Sequence, residues 1–373
     1  MKIDRIEKLS LAKLPTHYYV LCKAKQMCEP LWKQLGNVES FLLRKRLRTQ
    51  ALDRPIYVTG LARSGTTITL ELLSKHPDAV THRYRDLAQP YLPYFWTWLT
   101  DRLPLPKEVP TERIHKDGIF VTRDSPEAVE ESFWNRFFPK LYDETHSAVL
   151  GAETRNIAFE SYYRASLGKL LLAYKRSRYV SKANYNLTRL AYLVRLCPGA
   201  RFVVMVRDPA THFVSWVKQH ELFLQTQQED PRWFDAIRTA GHAEFGLDNR
   251  FINPDNTALV REIRAAWDAG YRATAFGLYW SALYGHVLSQ IEQDPLLCAA
   301  TLFVRYEDLC ASPRDTMNRI IAHCQLDANS FQATRDAYEK KLTTPQYYQA
   351  KLDEIDLAAL RETTKEVAQK FSY

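Results

Sequence analysis

With 373 residues, 46% of them hydrophobic and 25% charged, the chain has the make-up of a globular protein able to bury a large core, as one large domain or two ordinary ones. No apolar run approaches the roughly 18 to 20 residues of a membrane-spanning helix, and the first residues lack the continuous apolar block of a signal peptide, so the cytosol is the expected compartment. The net charge of +8 is concentrated in the first fifty residues, where eleven Lys or Arg face four Asp or Glu; the balanced remainder carries no recognition motif and points away from nucleic acid.

The first fifty residues read as helices divided by Pro15 and Pro30, a basic extension (1–53) ahead of an α/β domain (54–373) with insertions near 83–150 and 220–270. Its end, FLLRKRLR at 41–48, could rest on an anionic membrane surface, although the solvated face of an extra helix more often produces such a stripe. Six cysteines, Cys22, Cys28, Cys197, Cys298, Cys310 and Cys324, are widely spaced with no C-x-x-C, and they are expected to be reduced and mostly buried.

The stretch IYVTGLARSGTTITLELLSKH, 56–76, reads strand, tight loop, helix. Gly60 and Gly65 permit a turn whose backbone N–H groups converge, and the helix start adds unpaired N–H groups, which together make a candidate cradle for phosphate or sulfate. The glycine spacing is that of a P-loop, but Thr66 stands where the lysine belongs and the positive charge sits inside the loop on Arg63. That departure argues against ordinary ATP or GTP hydrolysis.

DAVTH at 78–82 is a second short strand, and 83–99 gathers Tyr84, Tyr91, Tyr94, Phe95, Trp96 and Trp98, which pack a satellite core or line a cleft. Prolines and charges make 103–118 a loop. Ser125 as N-cap and Pro126 at the first turn predict a helix over 124–138, its acidic run Glu127, Glu130 and Glu131 complementing the dipole. Another helix is expected over 158–175, then a strand RYVSK ending in Lys182 and an amphipathic helix broken at Pro198-Gly199. RFVVMV is a continuous apolar strand of the kind found inside parallel sheets, and it ends in Arg207, Asp208 and Pro209. Asp208 reads as a helix cap, with Ser215 two turns on. Because an arginine intervenes, this is not a metal-binding Walker B strand; Arg207 at a strand's carboxyl end suits a second phosphate. Residues 220–270 read as polar and irregular, an insertion near the cleft with QTQQED at 225–230 and DNRFINPDNT at 248–257 as exposed loops, followed by a helix over 272–293, a strand LLCAATLFVRYEDL ending near Tyr306, a helix opened by Ser312-Pro313 and a closing amphipathic helix.

At this point the chain resembles a known family. GLARSGTTITLELLSKHP is similar to the 5'-phosphosulfate loop of sulfotransferases, RFVVMVRDPATHFVSW to their 3'-phosphate motif, and VRYEDL at 304–309 to a later strand end. SKANYNLTRLAYLVRLCPGARF resembles the branch that includes tyrosylprotein sulfotransferases and many bacterial sulfotransferases. The resemblance implies a P-loop-like three-layer α/β/α fold with a central parallel sheet, 3'-phosphoadenosine 5'-phosphosulfate (PAPS) as donor, an unidentified acceptor hydroxyl or amine, and no metal. It places Ser64, Gly65, Thr66 and Thr67 on the 5'-phosphate, Arg207 and Ser215 on the 3'-phosphate, Tyr306 near the adenine, and Arg63 and Lys182 beside the transferring group. Arg83 and Tyr84 stand where relatives often carry a glutamate base, so Asp86 is the first candidate, His82 the second, and Glu130 or Glu131 the third. The histidine that some relatives carry just after the lysine is replaced by Asn184. A non-catalytic nucleotide-binding protein of the same fold and a variant P-loop kinase are the alternatives.

Overall fold

The structure, a computed structural model, describes residues 13–104, 108–239, 241–342 and 352–373. Its strands are β1 (Ile56–Thr59), β2 (Ala79–Val80), β3 (Thr111–Glu112), β4 (Phe120–Val121), β5 (Arg178–Lys182), β6 (Arg201–Val206) and β7 (Thr301–Arg305). Five of them form one parallel sheet in the order β2-β5-β1-β6-β7, while β3 and β4 make a small antiparallel hairpin.

The apolar runs of β1 and β6 are continuous because both faces of the sheet are covered. Successive side chains alternate between two cores. Tyr57, Phe202, Val204 and Val206 join a larger cluster with Phe159 and Tyr163 of the helix Ile157–Tyr174 and Phe276 and Trp280 of the helix Arg272–Gln293. Ile56, Val58, Val203 and Met205 point the other way, onto Leu70 and Leu73 of the helix Thr66–Ser74 and Ile320 of the helix Pro313–His323. Each such buried side chain stabilises the fold by about 1.5–3 kcal/mol. The result is the three-layer arrangement expected from the sequence.

The basic extension forms two helices, Thr16–Met27 and Glu29–Thr49; residues 1–12 lie outside the described residues. The second is bonded into the domain, since buried Glu39 pairs with Lys169 at 3.0 Å and accepts the N–H of Phe95 at 2.6 Å. The aromatic segment divides its side chains. Tyr91 and Trp96 turn inward, Trp96 donating to Arg85 O at 2.9 Å, while Trp98 faces solvent.

Three local expectations fail. The helix read over 124–138 is confined to Glu131–Phe137, because the N–H of Glu127 is spent on His82 O at 2.9 Å and Ser125 Oγ accepts the N–H of Thr122 at 3.0 Å instead of capping a helix. Tertiary pairing, with a bridge between Arg83 and Pro126, outcompetes the local cap. Residues 220–270 are largely helical, in Pro209–Glu229, Arg232–Thr239 and Thr257–Asp268. Their polarity misleads because some polar side chains are buried and bonded, as where Gln227 Oε1 accepts the N–H of Leu247 at 2.7 Å. Finally, β7 is preceded by a helix, Pro295–Ala300, capped by Asp294 with Pro295 in its first turn.

Candidate active site

Four adjacent strands deliver the site. The parallel register pairs Val58 with Lys182, Thr59 with Val204 and Val206 with Arg305, so Lys182, the loop after β1, Arg207 and Tyr306 all emerge at the carboxyl edge of the sheet. That edge is where open α/β sheets bind ligands.

The loop Gly60–Gly65 is pinned from several sides. Tyr284 takes the N–H of Leu61 at 3.2 Å and donates to Met205 O at 2.8 Å, and His212 Nε2 lies 2.8 Å from Ala62 O. Burial, with Arg207 and Arg63 nearby, holds the His212 imidazole down to about 3, so it stays neutral and donates. Gly65 has φ +97° and a Cβ on it would meet Tyr306 Cδ2 at 2.5 Å, which makes glycine obligatory for both conformation and space. Arg63 itself has φ 75°, a left-handed geometry that costs a residue with a Cβ on the order of 1–3 kcal/mol. At the start of the helix Thr66–Ser74, the N–H groups of Gly65, Thr66, Thr67 and Ile68 have no partner among the described residues, which makes this helix start a candidate anion cradle.

Around the cradle the arginines are linked. Arg63 donates from Nε to Ser215 Oγ at 3.2 Å and from Nη1 to Asp117 Oδ2 at 2.7 Å. Arg207 donates to Arg63 O at 3.1 Å and stacks its guanidinium 5.0 Å above the Tyr306 ring. Arg113 donates from Nε to Asp117 Oδ1 at 2.8 Å, also pairs with Oδ2 of that residue, and reaches Thr67 Oγ1 at 3.3 Å. Burial alone would raise the Asp117 carboxyl, but Arg113 and Arg63 hold it well below the usual carboxylate range. A carboxylate thus sits between two guanidinium groups beside the cradle. A cavity of about 180 Å³ opens here, lined in part by Arg63, His115, Ser215, Lys218 and Gln219.

Lys182 is held below the ordinary lysine value by burial, against the charges of Glu127 and Glu244, which act on it in the opposite sense. Glu127 also faces Tyr84, whose hydroxyl burial and that carboxylate push up, and its charge reaches Arg113 and His242. Glu244 accepts from Asn184 Nδ2 at 2.9 Å and lies 3.6 Å from His242 Nδ1; burial would raise its carboxyl, but His242 and Lys182 bring it down to about 2. The hydroxyl of Thr66 approaches Asn184 Oδ1 at 3.4 Å, tying this cluster to the loop.

The acids named from sequence are placed differently. Asp86 is buried and accepts the N–H of Arg83 at 2.8 Å, with His82 Nδ1 at 3.5 Å from the same oxygen. The His82 ring packs edge-on against Phe133 and Tyr179. Glu130 accepts from Tyr163 at 3.0 Å and Tyr179 at 2.6 Å, and Glu131 is forked by Arg189 at 3.0 Å. Sequence reasoning did not select Arg113, His115, Asp117, His242 or Glu244. No periodic signal could have found the first three, because 113–117 is a turn between β3 and β4, with the N–H of Lys116 bonded to Arg113 O at 3.0 Å and Lys116 at φ 47°, and it is the turn that brings Arg113 and Asp117 together.

The sulfotransferase family model matches residues 55–252, more than half of the chain. Sulfotransferase STF9 from Mycobacterium avium is similar in structure, with a TM-score of 0.52 and 14% identity over 89% of this chain and 81% of that one. STF1 from Mycobacterium tuberculosis H37Rv has 16% identity over 88% of this chain and 82% of its own, with a TM-score of 0.49. No curated protein matches. At such identity the likeness to STF9 is one of fold, and the family model carries the assignment: the chain belongs to the sulfotransferase family.

Proposed function

We propose that the protein moves a sulfuryl group from PAPS to an acceptor hydroxyl or amine. The observation that carries this reading is the meeting, at one sheet edge, of an amide cradle with two separate arginine positions. A donor bearing a 5'-phosphosulfate and a 3'-phosphate needs both, whereas a nucleoside triphosphate would need the lysine that Thr66 replaces. The N–H groups of Gly65, Thr66 and Thr67, with the Ser64 and Thr67 hydroxyls, hold the 5'-phosphate. Arg207 and Ser215 take the 3'-phosphate, and Tyr306, lying against Gly65, borders the adenine. The site already binds a carboxylate of its own, Asp117, between Arg63 and Arg113, which supports its fitness for an anion.

Arg63 and Lys182 flank the transferring group, where fixed positive charge stabilises the negative charge that builds up on departing and equatorial oxygens. For the proton of the acceptor, two carboxylates compete. Each spends one oxygen on a backbone N–H, Asp86 on that of Arg83 at 2.8 Å and Glu127 on that of Ala128 at 2.6 Å, but Asp86 is buried, whereas Glu127 is only partly buried and its charge acts on Lys182, Tyr84, Arg113 and His242 alike. Glu127 therefore has the stronger geometric claim to the role of base.

Calorimetry with adenosine 3',5'-bisphosphate and with ATP tests the donor, followed by a labelled-PAPS transfer assay over an acceptor panel. Preference for ATP would refute the reading in favour of a kinase; bisphosphate binding without turnover on any acceptor would leave a nucleotide-binding protein.

A further inference from the structure

On the side of the molecule built by the helices Glu29–Thr49 and Pro93–Thr100, large apolar side chains face solvent. On the first helix, Leu31, Leu35, Val38 and Leu42 recur at intervals of three and four and so line one stripe, with Leu42 60% exposed. The buried positions of the same helix, Gly36, Glu39 and Leu43, lie on another face, so the exposed stripe is not a core stripe seen end-on. The second helix packs, like the first, on the helix Ile157–Tyr174 and meets the first through side chains: Arg46 donates to Tyr94 at 2.7 Å and Glu39 accepts from Phe95. It turns Trp98, 49% exposed, and Leu99 outward, while Pro93 and Thr97 are buried. Two helices linked by these bonds thus both turn large apolar side chains to solvent, as at an interaction site on a globular protein.

Charge identifies the occupant. The acids on and next to these helices are internally paired, Glu29 with Arg136 at 3.1 Å, Glu39 with Lys169 at 3.0 Å and Asp101 with Arg85 at 2.7 Å. Arg44, Lys45 and Arg48 have no acidic partner among the described residues, and Arg102 stands 4.6 Å over the Trp98 ring. The surface is therefore apolar and positive. A second copy of the chain would bring the two positive faces together, which disfavours pairing. An anionic lipid surface complements both properties, since apolar side chains enter the boundary below the headgroups and the basic ones meet lipid charge. Tryptophan suits that depth, with an apolar ring and a polar edge. Among the described residues no helix is long and apolar enough to cross a membrane, so the contact is one of lying on the surface.

We infer that this two-helix face docks the protein on an anionic membrane surface. The test is co-sedimentation of the full chain with vesicles of phosphatidylcholine alone and of phosphatidylcholine mixed with phosphatidylserine. Binding to the mixed vesicles only, weakening as salt is raised, is expected. The triple variant Arg44→Glu, Lys45→Glu, Arg48→Glu should lower partitioning on the order of 100-fold. Leu42→Glu should also lower it, and because all four positions face solvent each variant should keep the parent melting temperature. Absence of binding to mixed vesicles, or equal partitioning of parent and triple variant, overturns the inference. A concentration-dependent dimer abolished by Leu42→Glu, without vesicle binding, would overturn it in favour of a second copy.

Discussion

Replacing Asp117 by asparagine probes the anion position directly. The carboxylate is the counter-charge of both Arg63 and Arg113, and the side chains of all three are no more than 11% exposed. Removing one partner of a buried ion pair costs about 3–5 kcal/mol, and the low end applies because the amide oxygen still accepts one hydrogen bond. Asp117→Asn should therefore unfold at lower urea, with stability reduced by about 3 kcal/mol and an unchanged slope. With this counter-charge removed, the Arg63 and Arg113 guanidinium groups then favour an incoming anion. Saturation with adenosine 3',5'-bisphosphate at a hundred times its dissociation constant stabilises any variant by about 2.7 kcal/mol. At a fixed ligand concentration the gain should be larger in the variant than in the parent, corresponding to at least about tenfold tighter binding, or 1.4 kcal/mol. Acid should reproduce the loss in the parent. The folded carboxyl lies below its unfolded value, so its contribution is present above about pH 4 and disappears as pH falls toward the depressed folded value. If the variant matched the parent in urea midpoint and in ligand-induced stabilisation, Asp117 would not be holding the place of a ligand anion.

Four other outcomes are expected. Arg207→Ala should weaken adenosine 3',5'-bisphosphate by on the order of 1.5–3 kcal/mol in calorimetry through loss of a charge-assisted contact, and unchanged affinity would remove it from the site. Gly65→Ala places a Cβ 2.5 Å from Tyr306 Cδ2 at positive φ, so it should both destabilise the protein in a thermal melt and weaken the nucleotide; wild-type behaviour in both would contradict the close contact. Glu127→Gln should retain nucleotide binding and lower turnover about 10² or more, whereas Asp86→Asn should act mainly on stability; the reverse pattern would return the base to Asp86. The His212 imidazole is held down to about 3, below its unfolded value, so the unfolded chain binds the extra proton and stability falls as pH drops below about 6.5. His212→Gln should flatten that slope by up to about 1.4 kcal/mol per pH unit in denaturant titrations at several pH values.

The sheet edge was legible in the sequence because each element there is locally encoded. A glycine-bounded loop, an apolar strand ending in Arg207, and Asp208 with Pro209 to start the next helix announce themselves without knowledge of neighbours, and Asp208 does accept the N–H of Thr211 at 2.9 Å. Lys182 was legible for the same reason, as the last residue of a short strand. Glu127 was read as part of a helix face because Ser125-Pro126 imitates a helix start, and only pairing with His82, distant in sequence, shows otherwise. Arg113 and Asp117 lay in a segment read as a loop. Their chemistry arises from proximity to Arg63 and Thr67, about fifty residues away in the chain, which periodicity does not encode.

Because Lys182, the loop, Arg207 and Tyr306 leave four neighbouring strands, their lateral separations are set by hydrogen-bond spacing. Adjacent strands lie about 4.8 Å apart, so the row from β5 to β7 spans roughly 14 Å before side chains are counted. The sheet is in this sense a ruler, with graduations in backbone rather than in side chains. Substitutions that reshape the surrounding helices leave the graduations intact. A single-residue insertion within β6, by contrast, would turn Arg207 to the opposite face and away from the mark at which we propose that a second anion is held.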